Sequence, residues 1–353
     1  MKIVADYYRS GEVKGGVQAK NDIFKAIDPT FEVFSYADAC TKLSYPMLSI
    51  DTLRFREWEA NYIIQKLVDT VEKSTPEILD LVIYNALCGG YMKHKTRTIS
   101  VLNDNYIEMP DRLYAGGYLD SNAYNMYRHM YLKLQLDSCR NADLVVAESQ
   151  TDADMYKKYG IEATVIENGV DDKFWTALPD KNGLRAKYGI PKDKKVGIFV
   201  GAFTPIKGYH ILHDLILARK NIHWVIVLKH PLDQHIKSDN VSIACQVEHN
   251  LLKELYSLSD FFCLPSIWES GHNIASFEAM SCNLPLLVSS AGGYAEHKGV
   301  NDFGVVVDDW NTKGFSEGLD TLLTGEFKAR DALFKHGWDF ESYKKRWEAV
   351  IKQ

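Results

Sequence analysis

The chain has 353 residues, of which 46 % are hydrophobic and 25 % charged, and a formal net charge of −6. That length favours two domains of roughly 150–200 residues each, and the balance is that of a globular chain rather than a disordered or fibrous one. The acidic charge argues against whole-protein attraction to nucleic acid, and the longest apolar runs, such as 196–203, fall well short of the about 20 residues that span a bilayer.

In chain order, a short apolar strand over 2–5 is followed by a loop holding Gly11, Gly15 and Gly16. A helical pattern then runs through Val17, Ile23, Phe24 and Ile27. Strands are expected at 31–36, 79–84, 98–102, 144–148 and 163–170, with helices over 56–73 and 123–141 between them. A second series places strands at 195–200, 224–228, 241–244, 261–264, 286–288 and 304–307, and helices at 209–219, 251–257, 274–281 and 312–323. Strands alternating with helices imply parallel sheets covered on both faces. The expectation is α/β: two doubly wound domains facing a ligand cleft at the carboxyl ends of their strands.

The start, MKIVADYY, reaches Asp6 before a leader-like apolar region develops, so a cytoplasmic protein is expected. Six cysteines, at 40, 88, 139, 245, 263 and 282, form no C-x-x-C pair and read as buried thiols. No Asp-x-Asp stands at a strand end, and no metal is expected.

Three stretches carry candidate chemistry. Glycines between the first strand and its helix let backbone approach an anion, or simply make a turn; they are not G-x-G-x-x-G, so no dinucleotide fingerprint is read. In VGIFVGAFTPIKGYHIL, Gly201 ends a strand and Lys207-Gly208 stands at the start of a helix. A lysine there suits a diphosphate, and would equally serve as a solvated surface group. In LPSIWESGHNIASFEAMSCNLPLLVSSAGGYAE, a strand gives way to a polar loop with Glu269, Ser270, Gly271, His272 and Asn273. A helix beginning at Ile274 then carries Glu278 beside an apolar stripe, where a carboxylate either faces solvent or meets the two hydroxyls of a ribose.

These segments, with NADLVVAESQTDADMYKKYGI, VIENGVDDKFW and the terminal HGWDFESYKKRWEAVI, resemble the retaining GT-B glycosyltransferases of family 4, the glycosyl transferases group 1, over nearly the whole chain. The resemblance implies a GT-B fold: an acceptor-side domain over 1–170, joined by a crossover helix within 339–353, and a nucleotide-sugar domain over 171–338. It implies transfer of a hexosyl group from a nucleoside-diphosphate sugar, UDP- or GDP-linked, to an acceptor hydroxyl with retention and without a metal or other cofactor. Glu278 would meet the ribose, Lys207 the leaving diphosphate, and Gly15 and Gly16 the donor phosphates. The turn after Gly201 and the stretch from Ser270 through Gly271, His272 and Asn273 to Ile274 would face the donor, and Gln246 and Val247 the nucleobase.

Three departures from the family pattern stand out. Eight residues separate Glu269 from Glu278 where the family has seven, so either Glu269 or Ser270 serves the sugar. Ala202 replaces an arginine after the glycine, and Lys229 is expected to restore some of that charge. Asn103, before Asp104, stands where the family has a catalytic histidine; it can hydrogen-bond a hydroxyl but cannot exchange a proton as an acid or base. Two other readings stay open: a nucleotide-sugar epimerase or hydrolase on the same fold, and a non-catalytic nucleotide-sugar-binding subunit. The acceptor is expected to be a glycan, a lipid-linked sugar or a small molecule, reached with or without peripheral contact at the inner membrane face. Tyr124, Tyr127 and Tyr131 have the spacing of a packed helix face.

Overall fold

The structure, a computed structural model, describes residues 2–5, 16–34, 66, 69, 80–85, 96–228, 236 and 238–353. The chain divides into two compact units, Met1–Ile166 and Glu167–Gln353.

The sheet of the first unit contains β1 (Lys2–Ala5), β2 (Phe31–Phe34), β3 (Leu81–Asn85), β4 (Arg97–Leu102), β5 (Leu144–Ala147) and β6 (Thr164–Val165), in the order β2-β1-β3-β4-β5-β6. Every pairing is parallel. Parallel strands covered on both faces need unbroken apolar runs, and Leu81, Val82, Ile83 and Tyr84 are all buried. The strand order changes direction between β1 and β3, which makes the carboxyl ends there the natural ligand position of the sheet.

The second unit holds β7 (Lys195–Gly201), β8 (Ile222–Leu228), β9 (Val241–Cys245), β10 (Phe261–Leu264), β11 (Leu286–Ser289), β12 (Gly299–Asn301) and β13 (Gly304–Val307), ordered β12-β13-β11-β10-β7-β8-β9. All pairings are parallel except β12 with β13. Here the order changes direction between β7 and β10. One continuous core runs through this sheet and the helices on its faces, and every residue of β8 is buried.

Among the described residues the alternation read from the sequence is present in both units, while the helix expected over 56–73 lies almost wholly outside them. The strand expected at 163–170 shrinks to Thr164–Val165, because the residues after it serve the second unit. The Val170 N–H donates to the Trp338 carbonyl at 3.0 Å, and Val170 bridges Asp339. The helix expected over 123–141 consists of Ser121–Met126, a π-helical turn at Tyr127–Tyr131, and Leu132–Asn141. Tyr106 stacks on both Tyr127 and Tyr131, so those two rings pack as the spacing suggests, whereas Tyr124 pairs with Tyr114 instead. The terminal helix, Phe340–Ile351, sets Tyr343 against Gly169, and Arg346 Nη2 donates to the Glu167 carbonyl at 3.1 Å. Among the described residues no helix is long and apolar enough to cross a membrane. Of the described cysteines, Cys139, Cys263 and Cys282 are buried thiols, as expected, whereas Cys245, the last residue of β9, is exposed.

Candidate functional site

The carboxyl ends of β7 and β10 lie side by side where the second sheet changes direction. After β7 the chain makes a 3-10 turn, Pro205–Lys207, and then Gly208 with φ +67° before the Tyr209–Ala218 helix. Lys207 therefore stands just ahead of the helix rather than in it. A side chain on Gly208 would put its Cβ 1.8 Å from the Pro265 carbonyl oxygen, so only glycine lets the two loops close. The Ile267 N–H donates to the Ile206 carbonyl at 2.9 Å and sews them together.

This closure brings Lys207 Nζ to 2.6 Å from Glu269 Oε1. The same oxygen accepts from Ser266 Oγ at 2.6 Å and from Asn273 Nδ2 at 3.5 Å. Glu269 is 6 % exposed, while the Lys207 side chain keeps 20 % of its surface open. A buried carboxylate needs such donors to replace the water it has lost. Of the two candidates left by the altered spacing, Glu269 is the one that meets Lys207. Ser270 is buried beside it, and the loop turns at Gly271, with φ +58°.

Asn273 also caps the Ile274–Ser281 helix, its Oδ1 accepting from the Ala275 N–H at 3.0 Å. Behind the loop, the Gly293 N–H donates to the Gly271 carbonyl at 2.8 Å, and a Cβ on Gly292 would lie 2.6 Å from that carbonyl oxygen. The two glycines thus give the Glu269–Asn273 loop a close backing.

The His272 ring faces an aromatic cluster, with centroids 4.8 Å from Tyr294, 4.9 Å from Trp338 and 5.5 Å from Phe277. Burial, with His297 and His336 nearby, lowers its pKa to about 3, so it is neutral. Its main-chain carbonyl accepts from Asn168 Nδ2 at 3.1 Å. The side chain expected to face a ligand is instead the anchor that holds the loop in the core.

Farther along the helix, Glu278 is only partly exposed, and Tyr256 Oη donates to its Oε2 at 2.9 Å. Burial raises its pKa to about 8 against the opposing effect of that hydrogen bond. Gly201 is the last residue of β7, and Gln246 follows β9 with φ +53°, a left-handed conformation that is uncommon for a residue with a side chain. Val247 packs on the core of its unit. Gly15 and Lys229 lie outside the described residues, and Gly16 opens the Gly16–Ile27 helix.

In the first unit Asn103 follows β4, and Lys20 Nζ donates to its Oδ1. Sequence reasoning missed Lys20 and Glu148, which pair with each other, and it did not give Ser266 and Tyr256 a role. Ser266, a polar residue two positions after a buried strand and three before Glu269, carried a readable signal. The others meet their partners only through the tertiary fold.

Residues 180–337 match the model of the family described as glycosyl transferases group 1. The match lies within the second unit, which resembles a glycosyl transferases group 1 domain. Spore coat protein SA of Bacillus subtilis (strain 168) is 26 % identical over 205 residues, 49 % of this chain and 54 % of that protein. The chain spans about half the length of the curated relatives it matches. Sucrose-phosphate synthase from Thermosynechococcus elongatus superposes with a TM-score of 0.78 at 15 % identity, covering 100 % of this chain and 99 % of that one. Anabaena HepE in complex with UDP and glucose gives 0.75 at 20 % identity, with the same coverage. The fold is therefore that of the GT-B glycosyltransferases, each unit Rossmann-like, as the resemblance implied. Within the matched segment, the Lys207–Glu269 pair lies in the loops that follow β7 and β10.

Proposed function

We propose that the protein is a retaining hexosyltransferase that moves a sugar from a nucleoside diphosphate to an acceptor hydroxyl. The observation that carries this reading is the Lys207–Glu269 pair, a cation and a buried carboxylate presented together at the switch point of the second sheet. A nucleotide sugar offers a matching pair of groups: phosphate oxygens for the ammonium, and sugar hydroxyls that donate to the carboxylate. HepE, similar in fold, holds UDP and glucose, which supports a nucleotide-sugar donor here.

Breaking the bond between the anomeric carbon and the diphosphate leaves oxocarbenium character on the sugar and added negative charge on the phosphate. Lys207 stabilises that charge, and the reading needs no metal for it. Glu278 takes the ribose hydroxyls, while Gly201, Gln246 and Val247 border the nucleotide at the ends of β7 and β9. The first unit receives the acceptor, whether glycan, lipid-linked sugar or small molecule, and Asn103 hydrogen-bonds one of its hydroxyls. The buried thiols of Cys139, Cys263 and Cys282 fit a reducing, cytoplasmic setting.

The test is nucleotide release from a panel containing UDP-glucose, UDP-galactose, UDP-N-acetylglucosamine, ADP-glucose and GDP-mannose, with acceptor sugars and with EDTA present. Lys207→Ala and Glu278→Ala are expected to lower release by about 100-fold, and product NMR to show the donor's anomeric configuration. Unchanged activity in both variants would overturn the assignment. Donor consumption that needs no acceptor would identify a hydrolase or epimerase instead.

A further inference from the structure

The first unit holds a buried charge pair that the function proposed above does not use. Lys20 lies on the Gly16–Ile27 helix and is 6 % exposed; Glu148 directly follows β5 and is 4 % exposed. Their ammonium and carboxylate meet in an ion pair, and the same ammonium donates to Asn103 Oδ1. The register of the sheet explains the meeting: Leu102 of β4 lies opposite Ala147 of β5, so the next residues, Asn103 and Glu148, leave the sheet side by side at its carboxyl edge.

Burying a lysine and a glutamate costs several kcal/mol per ion before their attraction is counted, and an apolar pair of the same size would commonly be as stable. This pair also fixes a third group. An asparagine amide has one accepting and one donating end, and an ammonium can only donate. Contact with Lys20 therefore sets Oδ1 inward and commits Nδ2, which makes no hydrogen bond among the described residues, to the opposite side.

We propose that Lys20, held by Glu148, is a positioning residue that locks the Asn103 amide with its NH₂ presented as a donor to an oxygen of the bound substrates. The inference rests on the glycosyltransferase reading and adds to it a part played by residues outside the donor domain. A donor amide is of no use as a base, so its contribution is to orient a substrate hydroxyl held on the first unit.

A double-mutant cycle tests this, using the donor and acceptor that give nucleotide release in the panel above. Lys20→Met is expected to lower kcat about 10- to 100-fold with the donor KM changed less than about threefold, and Lys20→Arg to recover part of the loss. In an Asn103→Ala background the Lys20→Met change should cost almost nothing further, since its effect passes through Asn103. If Lys20→Met lowers Tm while kcat per folded molecule stays at the wild-type value, or if the two losses multiply, the inference is wrong. Should Lys20→Met strand the Glu148 carboxylate and fail to fold, Lys20→Met/Glu148→Gln removes both charges, and the same cycle is read from it. A wild type that turns over no nucleotide sugar would remove the enzymatic reading and this inference together; wild-type turnover with independent losses removes this inference alone.

Discussion

Glu278 is neutral at pH 7 in the ligand-free protein, because burial raises its carboxyl to about 8, well above the ordinary carboxylate range. Two ribose hydroxyls would favour the ionised form, which only accepts hydrogen bonds. Donor binding below pH 8 then requires loss of a proton, and affinity should rise with pH until about 8 and level off above it. Calorimetry in buffers of different ionisation enthalpy should show close to one proton released per donor bound at pH 6.5 and almost none at pH 9. A Glu278→Gln variant should release none at either pH. Equal release from the variant and the wild type would assign the proton elsewhere. At the same scale, Glu269 Oε1 accepts from Ser266 and Asn273 as well as from Lys207, so those two residues belong to the site as much as the lysine does.

Elements place these residues through close approaches that glycine alone allows. Gly208 is the sharpest case, with a left-handed φ of +67° and a carbonyl oxygen 1.8 Å from where a Cβ would sit. Gly208→Ala should separate the β7 and β10 loops and cost about 1–3 kcal/mol from the backbone conformation alone, with a further loss of donor affinity because Lys207 and Glu269 no longer meet. Thermal unfolding and donor titration of the variant check both effects; a variant of wild-type Tm and affinity would contradict the packing described. Strands were legible from the sequence because buried parallel strands read as apolar runs, as in β8 and β10. The helices Met109–Ala115, Gln150–Lys157 and Lys181–Lys187 were not, since each is only seven or eight residues long and two of them rest on a single capping side chain, Ser149 or Asp180. The β12 strand, three residues at a sheet edge and mostly exposed, has no pattern to read. In the site, Lys207, Glu269 and Glu278 stood out by type and spacing. The direction of the His272 ring did not, because it is decided by Tyr294 and Trp338, distant in sequence.

Stability toward acid is a property of the whole molecule, and the His272 cluster bears on it. Its folded pKa of about 3 lies below the ordinary histidine value of 6.5, so the unfolded chain binds the extra proton between those values. The contribution is fully present above about pH 6.5 and is lost progressively as pH falls toward 3, at up to about 1.4 kcal/mol per pH unit. Urea unfolding at pH 7 and pH 5 should show the wild type losing more stability than His272→Phe, which has no proton to take up. An equal loss in both would place the acid sensitivity in other groups. The cluster ties the Glu269–Asn273 loop to the Gly292–His297 turn and to Trp338, so the loop that carries the site shares the fate of the core beneath it.

The pairing of Lys207 with Glu269 also bears on how an anion would arrive. The two charges cancel within a single hydrogen-bond length, leaving little field from this pair at a distance of several ångströms. An incoming diphosphate is therefore not drawn to this lysine across the solvent; it must displace the carboxylate on contact. Only a ligand that gives the carboxylate new hydrogen-bond donors completes the exchange without leaving a buried charge alone.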